Sequence, residues 1–207
     1  MKYDDYRRNA LTGDIVLVAG TGLAADIIQT FSKSKWSHVG MVVRPDPMWS
    51  VGVDMVLFLE STLAPSARDL RSGEFFRGVR LVPLSEMLQY EKNRRAKIGV
   101  RTLTSPLGGY EMRQFTDARH ELMGRPYERN LLELWKSVYD GPLGRNKTAL
   151  HSVFCSELVA EMLIRMGMMA PERPSNEYTP ADFASRSRFT FPMLPPWSYD
   201  RVRMLTL

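Results

Sequence analysis

The stretch SHVGMVV, residues 37–43, is the most informative part of this 207-residue chain, because it places His38 at the start of a β-branched, strand-like run. The only cysteine, Cys155, lies far downstream in the stretch FCSELV, residues 154–159. A histidine that enters a strand and a lone cysteine that opens a helix are the two halves of a thiol nucleophile and its base. Here the histidine comes first, and this order restricts the folds that can bring the two side chains together.

Local patterns around residues 37–43 predict a set of antiparallel strands. The turn signal Gly13-Asp14 precedes a β-branched run, and a loop rich in proline and glycine, centred near Trp49, separates two further strands. The predicted strands are residues 15–18, 38–43, 54–60, 79–82 and 97–103, with 97–103 as the last of the set, and the accompanying helices are residues 23–33 and 85–90.

Helices dominate the second half of the chain. Residues 110–123 have a helical pattern that ends at the stretch GRPY, residues 124–127, and residues 153–166 form the predicted cysteine helix, which Gly167 stops. A loosely patterned connection, residues 128–150, separates these two helices. Six prolines follow the cysteine helix, so we expect irregular chain wrapped over the core near the C-terminus.

Composition and charge bound the function only weakly. Hydrophobic residues make up 44% of the chain, which is enough to bury one core, and 28 Lys and Arg against 23 Asp and Glu give a net charge of +5. This balance is compatible with weak contact with an anionic membrane surface, and it selects no partner. One cysteine excludes an internal disulfide, and no grouped Cys and His spacing predicts a zinc site. We expect no cofactor and no bound metal.

The N-terminus is polar and lacks the apolar core of a secretory signal. The longest apolar runs, such as residues 55–59, are far shorter than the roughly 20 residues that span a bilayer. We therefore expect a soluble protein of the cytoplasm or another intracellular compartment, with a virion-associated or phage-associated protein as the alternative.

Cys155 admits two interpretations. If Ser152 caps the helix, Cys155 falls in the first turn, where free backbone N–H groups and the helix dipole favour a thiolate. Cys155 also continues an apolar stripe with Leu158 and Met162, and cysteine is often a small buried hydrophobic residue. From the helix alone, the second interpretation is favoured.

His38 is the best candidate for a base among the three histidines. A strand fixes a side chain more firmly than the lead-in to a helix does, and His151 lies in such a lead-in. His120 lies on a charged helix and is expected to be solvated. A hairpin centred near Trp49 would pair residues whose numbers sum to about 98, which places Glu60 opposite His38 on the same face. Glu60 could then orient the imidazole, although a register shift of one residue would turn it away and leave an ordinary polar strand end.

Six short stretches together resemble one known group of proteins. In chain order they are GDIVL at residues 13–17, SHVGM at 37–41, LES at 59–61, GRPY at 124–127, FCSELV at 154–159 and TPADF at 179–183. They resemble the NlpC/P60 superfamily of papain-like cysteine hydrolases, and specifically its circularly permuted branch. This branch includes YiiX-like and YebB-like proteins, relatives of lecithin retinol acyltransferase and poxvirus homologues. Unpermuted members have the cysteine helix before the histidine strand.

This resemblance implies an α+β, permuted papain-like fold, in which an antiparallel sheet packs against the helix that bears the nucleophile. It also implies a single domain, residues 1–207, with its core at about residues 13–185 and an irregular C-terminal segment at residues 186–207. The implied catalytic residues are Cys155 as nucleophile, His38 as base and Glu60 as the group that orients it. Tyr127 and Ser156 are implied at the oxyanion or substrate site.

The implied chemistry is hydrolysis or acyl transfer at an amide or lipid ester bond, through a thioester on Cys155. The substrate class is not determined, and peptide, peptidoglycan and lipid substrates are all possible, because the loops between His38 and Glu60 and between Tyr127 and Cys155 are longer than in the family pattern. The aromatic residues Trp49 and Trp197, expected to be exposed, would suit a lipid surface. The alternative is a non-catalytic binding or virion-type structural module on the same fold. A specific nucleic-acid partner is not expected, because only residues 94–97 and 186–188 are locally basic.

Overall fold

A six-stranded antiparallel sheet is the centre of the protein, with strand order β4-β3-β2-β1-β5-β6. The computed structural model describes residues 1–45, 55–127, 154–187 and 189–207. The strands are β1 Ile15–Ala19, β2 His38–Val43, β3 Leu57–Thr62, β4 Gly78–Pro83, β5 Lys97–Arg101 and β6 Arg203–Leu205. The described helices are α1 Tyr3–Asn9, α2 Leu23–Ser32, α3 Leu84–Asn93, α4 Gly109–Leu122 and α5 Cys155–Arg165, with short 3-10 turns at Ser175–Glu177 and Asp182–Ala184.

Helices cover both faces of this sheet. On one face, α4 and α5 pack over strand side chains such as Leu17 and Met41. On the other face, α1 and α3 pack over side chains such as Val16 and Val42. Because neighbouring residues of a strand point to opposite faces, β1 is buried on both sides and its sequence is continuously apolar. The predicted α+β fold, with an antiparallel sheet against the cysteine helix, is confirmed.

The pairing of β2 with β3 differs from the predicted register by two residues. Met41 faces Leu59 and Val43 faces Leu57, so residue numbers in a pair sum to 100. Side chains alternate with a period of two, and the shift therefore leaves Glu60 on the same face as His38, in a diagonal position. The predicted loop near Trp49, residues 46–54, lies outside the described residues.

The C-terminal segment differs from the sequence prediction, and the N-terminus forms a helix for which no prediction was made. Residues 203–205 form β6, an edge strand on β5, so β5 is not the last strand and the C-terminal segment is not irregular throughout. A three-residue strand is too short to show an alternating pattern of apolar and polar residues, so the sequence pattern does not predict β6. The polar N-terminus forms α1, and Tyr6 anchors this helix by donating a hydrogen bond from its hydroxyl to Asp14 Oδ2 at 2.9 Å. Within the described ranges, no helix is long and apolar enough to cross a membrane.

Candidate active site

His38 and Glu60 form a short hydrogen bond at the beginning of β2. His38 Nε2 lies 2.6 Å from Glu60 Oε2, and Glu60 on β3 is only 3% exposed. Two residues along β2, a Cβ at Gly40 would lie 2.4 Å from the ring of Phe58, and this ring packs edge-on against the imidazole with centroids 6.2 Å apart. The predicted proximity of these two residues is therefore present, although through a diagonal pairing.

Arg80 holds the other oxygen of the Glu60 carboxylate. Its Nε and Nη2 donate to Glu60 Oε1 at 2.9 and 2.7 Å, and the side chain is fully buried on β4. The guanidinium also donates to the carbonyl of Ala67 at 2.6 Å and to Ser66 Oγ at 3.1 Å. In the sequence, Arg80 is marked only as a charged residue inside the apolar stretch VRLV, residues 79–82, and this signal does not predict its role.

The charge on Glu60 is compensated from both sides. Burial by itself would raise the pKa of this carboxyl. The hydrogen bonds and positive charges of His38 and Arg80 outweigh burial and hold the pKa of Glu60 below its ordinary value. Glu60 is therefore an ionised acceptor that fixes the orientation of the imidazole.

Cys155 is the first residue of α5. Phe154 is the residue that precedes the first turn, and its backbone N–H donates to a Glu157 carboxylate oxygen at 3.1 Å. The predicted cap, Ser152, lies outside the described residues, as do His151 and the connection 128–150. The observed cap is Phe154 and not Ser152, so Cys155 is the first residue of the helix and lies in its first turn, as predicted. The first backbone N–H groups of a helix have no partner within it, so they are free to bind an anion at this position.

Cys155 and His38 contact each other where β2 begins. Cys155 is 4% exposed and belongs to the core between α5 and the sheet. Burial lowers the pKa of His38, but hydrogen bonds and charges from Cys155 and Glu60 outweigh it and raise this pKa from 6.5 to about 10. Glu60 occupies Nε2, so Nδ1 is the ring nitrogen that remains for the sulfur. An imidazolium held by the Glu60 carboxylate is therefore the favoured state of His38 near neutral pH.

Tyr127 and Ser156 lie near Cys155, and their place at the oxyanion or substrate site stays a prediction. The ring of Tyr127 meets the ring of Phe154 edge-on, with centroids 5.5 Å apart. Burial, and then the charges of Cys155 and Glu157, raise the pKa of Tyr127 well above its ordinary value, so its hydroxyl keeps its proton. Ser156 is buried in the first turn of α5.

The chain before Tyr127 is held by β4. The backbone N–H of Val79 donates to the carbonyl of Arg125 at 2.8 Å, and the N–H of Tyr127 donates to the carbonyl of Arg77 at 3.3 Å. Gly78 makes this pairing possible, since a Cβ there would lie 2.1 Å from the Arg125 carbonyl oxygen. The GRPY stretch, residues 124–127, therefore pairs with the edge of the sheet at β4, and this pairing positions Tyr127.

A cleft of about 150 Å³ opens next to His38 and Glu60. Side chains from α2, α3 and the ends of β2 and β3 line it, as does Tyr127, whereas Cys155 is not among the lining residues. Glu91 on α3 is the second carboxyl group of this cleft, and its pKa is raised above the ordinary value, chiefly by burial. The sequence does not predict Glu91 as a site residue, because a single glutamate on an amphipathic helix resembles an ordinary solvated residue.

The other predicted features contribute less to the site. His120 lies on α4, among the residues of a different pocket. Trp197 is half-buried against the core and is not the exposed aromatic expected, while Trp49 lies outside the described residues. In the part of the chain that the structure describes, no group of three or more His, Cys, Asp or Glu side chains could hold a metal ion.

Comparisons with known proteins bear on the family and the fold. The family model described as permuted papain-like amidase enzyme, YaeF/YiiX, C92 family, matches residues 9–182. The chain is similar to a structure described as the metalloprotein YiiX from Escherichia coli O157:H7, with a TM-score of 0.51 and 19% sequence identity over 77% of this chain and 68% of that chain. At this identity the likeness concerns the fold alone. No curated protein matches the chain.

Proposed function

The chain belongs to the permuted papain-like amidases, a family of cysteine hydrolases, and from this premise we propose that it cleaves an amide bond through a thioester on Cys155. The observation that carries the proposal is the hydrogen bond between His38 and Glu60, with Cys155 close enough to His38 to raise the pKa of the imidazole. A nucleophile, a base and a group that orients the base are what acyl transfer by a thiol requires.

In the proposed first step, the Cys155 thiolate attacks the amide carbonyl carbon, and the carbonyl π electrons move to oxygen. The backbone N–H of Cys155 and the hydroxyl of Tyr127 donate hydrogen bonds to this oxyanion. The oxyanion then collapses, the C–N bond breaks, and the His38 imidazolium gives its proton to the leaving nitrogen. The products of this half are an amine and an acyl thioester on Cys155.

In the second step, neutral His38 accepts a proton from a water molecule as that water attacks the thioester carbonyl. The C–S bond breaks, the carboxylic acid product leaves, and the thiolate and imidazolium are restored. Glu60 and Arg80 take no proton in either step. They act as positioning residues, because Glu60 fixes the ring and Arg80 fixes Glu60.

The choice of an amide over a lipid ester rests on the family description and on the cleft. A cleft of about 150 Å³ is small for an acyl chain, and Glu60 and Glu91 add polar lining. Transfer of the acyl group to an acceptor other than water would use the same thioester, and the acceptor would replace the water in the second step.

A binding or structural module is the second candidate, and the burial of Cys155 favours it. The side chain is 4% exposed and packs within the apolar core, where a cysteine without catalytic duty is common. In that case the hydrogen-bonded set would stabilise the sheet and would not turn over any substrate.

Hydrolysis assays on amino-acid p-nitroanilides, beside p-nitrophenyl esters of short and long acids, test the proposal. We expect amide turnover that Cys155→Ala and His38→Ala abolish and that Tyr110→Ala, a variant of an exposed aromatic residue on α4 outside every pocket described, leaves unchanged. Intact-protein mass should show an acyl adduct on the active enzyme. Turnover that persists in Cys155→Ala would refute the mechanism, and hydrolysis of esters alone would favour the lipid ester alternative.

A further inference from the structure

A second pocket, of about 480 Å³, lies between β4, α4 and the loop that precedes β4. Its lining residues are Arg71, Leu81, Arg119, His120 and Met123. None of these residues lines the cleft beside His38, so the pocket is separate from the proposed active site. It is termed the arginine pocket below.

The arginine pocket contains positive charge without a compensating carboxylate. Two of its lining residues are arginines, the third polar residue is His120, and none is acidic. Among the described residues, the polar contact recorded for the Arg119 guanidinium is Nη2 to His120 Nε2 at 3.4 Å, which brings no negative charge. The adjacent carboxylate, Glu121, already pairs with Arg125 and Arg165.

Arg119 differs in this respect from Arg101, a buried arginine on β5. Burial lowers the pKa of both guanidinium groups. Arg101 donates to main-chain carbonyls of Phe183, Ser185 and Asp200 at 2.8 to 2.9 Å, so its hydrogen-bonding capacity is used within the protein. Arg119 is half-buried, and among the described residues its guanidinium meets no carboxylate, so donors are available for a ligand.

We propose that the arginine pocket binds the phosphoryl group of a phosphorylated ligand. Two guanidinium groups and an imidazole offer more N–H donors than the two oxygens of a carboxylate can accept. The three terminal oxygens of a phosphate ester can accept more of these hydrogen bonds. Leu81 and Met123 form an apolar wall, and the volume exceeds that of a lone phosphate, so the carbon skeleton of the ligand packs there. This chemistry is shared by a free phosphomonoester and by the headgroup of an anionic phospholipid.

Binding of glycerol 3-phosphate, measured by calorimetry on the full chain, tests this proposal. We expect saturable binding that Arg119→Gln weakens at least tenfold and that Arg71→Gln weakens as well. Arg113→Gln is the matched control, because Arg113 is an exposed arginine of α4 outside the pocket. Thermal unfolding establishes which variants are folded. If Arg119→Gln does not fold, the effect of Arg71→Gln on binding tests the proposal.

Co-sedimentation with vesicles distinguishes the two sources of the phosphoryl group. Retention on phosphatidylcholine vesicles that contain phosphatidic acid, lost in Arg119→Gln and kept in Arg113→Gln, would identify a lipid headgroup. Binding of glycerol 3-phosphate without such retention would identify a soluble ligand. The proposal is overturned if glycerol 3-phosphate and the vesicles both fail to bind, or if Arg113→Gln weakens binding as much as the pocket variants do.

Discussion

Arg80 and Glu60 face each other on adjacent strands, and two donors of the Arg80 guanidinium reach one Glu60 oxygen at 2.9 and 2.7 Å. The second oxygen is thereby left for His38, which it meets at 2.6 Å. Both charged side chains are almost completely removed from solvent. The position of the imidazole therefore depends on a buried ion pair that never touches the reacting atoms.

Arg80→Met should destabilise the protein and impair turnover together. Removing one member of a buried pair leaves the other charge uncompensated, which costs about 3–5 kcal/mol of unfolding free energy. Chemical denaturation measures this loss. The double variant Arg80→Met/Glu60→Gln should recover part of the stability but not the activity, and a double variant as unstable as the sum of the single variants would contradict a direct pairing.

Glu60 should make stability depend on acid pH. Its folded pKa lies below the ordinary 4.5, so its contribution to the free energy of unfolding is fully present above pH 4.5 and is lost as the pH falls through the folded value. The stability advantage of the native chain over Glu60→Gln should be constant from pH 7 to about 5 and shrink below that. Denaturant titrations at a series of pH values measure it. An advantage that grew with acidity would show that the carboxylate is not held by His38 and Arg80.

Gly40→Ala should disturb the histidine without touching it. A Cβ at this position would lie 2.4 Å from the ring of Phe58 and 2.7 Å from the carbonyl oxygen of Leu59, so the ring that supports His38 has to move. Overpacking of this kind costs about 1–3 kcal/mol, and we expect kcat to fall with it. Gly109→Ala is the control, because a Cβ there meets no atom within 4 Å. If both alanine variants behaved alike, close packing at Gly40 would not matter.

Tyr127→Phe tests the proposed oxyanion contact. The variant keeps the ring that packs on Phe154 and removes only the hydroxyl, so thermal stability should be nearly unchanged. Loss of one oxyanion donor lowers kcat by about 100-fold or more. Steady-state kinetics on the best amide substrate measure the effect. An unchanged kcat would remove Tyr127 from the mechanism and leave the backbone N–H of Cys155 as the donor.

Much of the site was predictable because its signals are local. The β-branched run that starts at His38 forms β2 with the predicted bounds, and the apolar stripe after Cys155 forms α5. The proximity of Glu60 and His38 survived an incorrect register because the error was two residues, which preserves the face of the sheet. A one-residue error would have hidden the pair.

The parts that were missed depend on pairing between distant segments. Arg80 has no local feature that indicates a buried ion pair, since its partner is identified only once β3 and β4 are known to be neighbours. The edge strand β6 depends likewise on β5, about a hundred residues earlier in the chain. Propensity and periodicity describe a segment by itself, so contacts of this kind do not follow from them.

The reactivity of Cys155 toward iodoacetamide, measured as a function of pH in the native chain and in His38→Ala, tests the central claim most directly. The imidazolium of His38 persists to high pH because the pKa of this group is raised to about 10, so it is present to stabilise a thiolate across the neutral range. We predict rapid alkylation well below pH 8, where an ordinary thiol is mostly protonated, and loss of this reactivity in His38→Ala. Slow alkylation in both proteins would contradict the account and identify Cys155 as a buried structural residue.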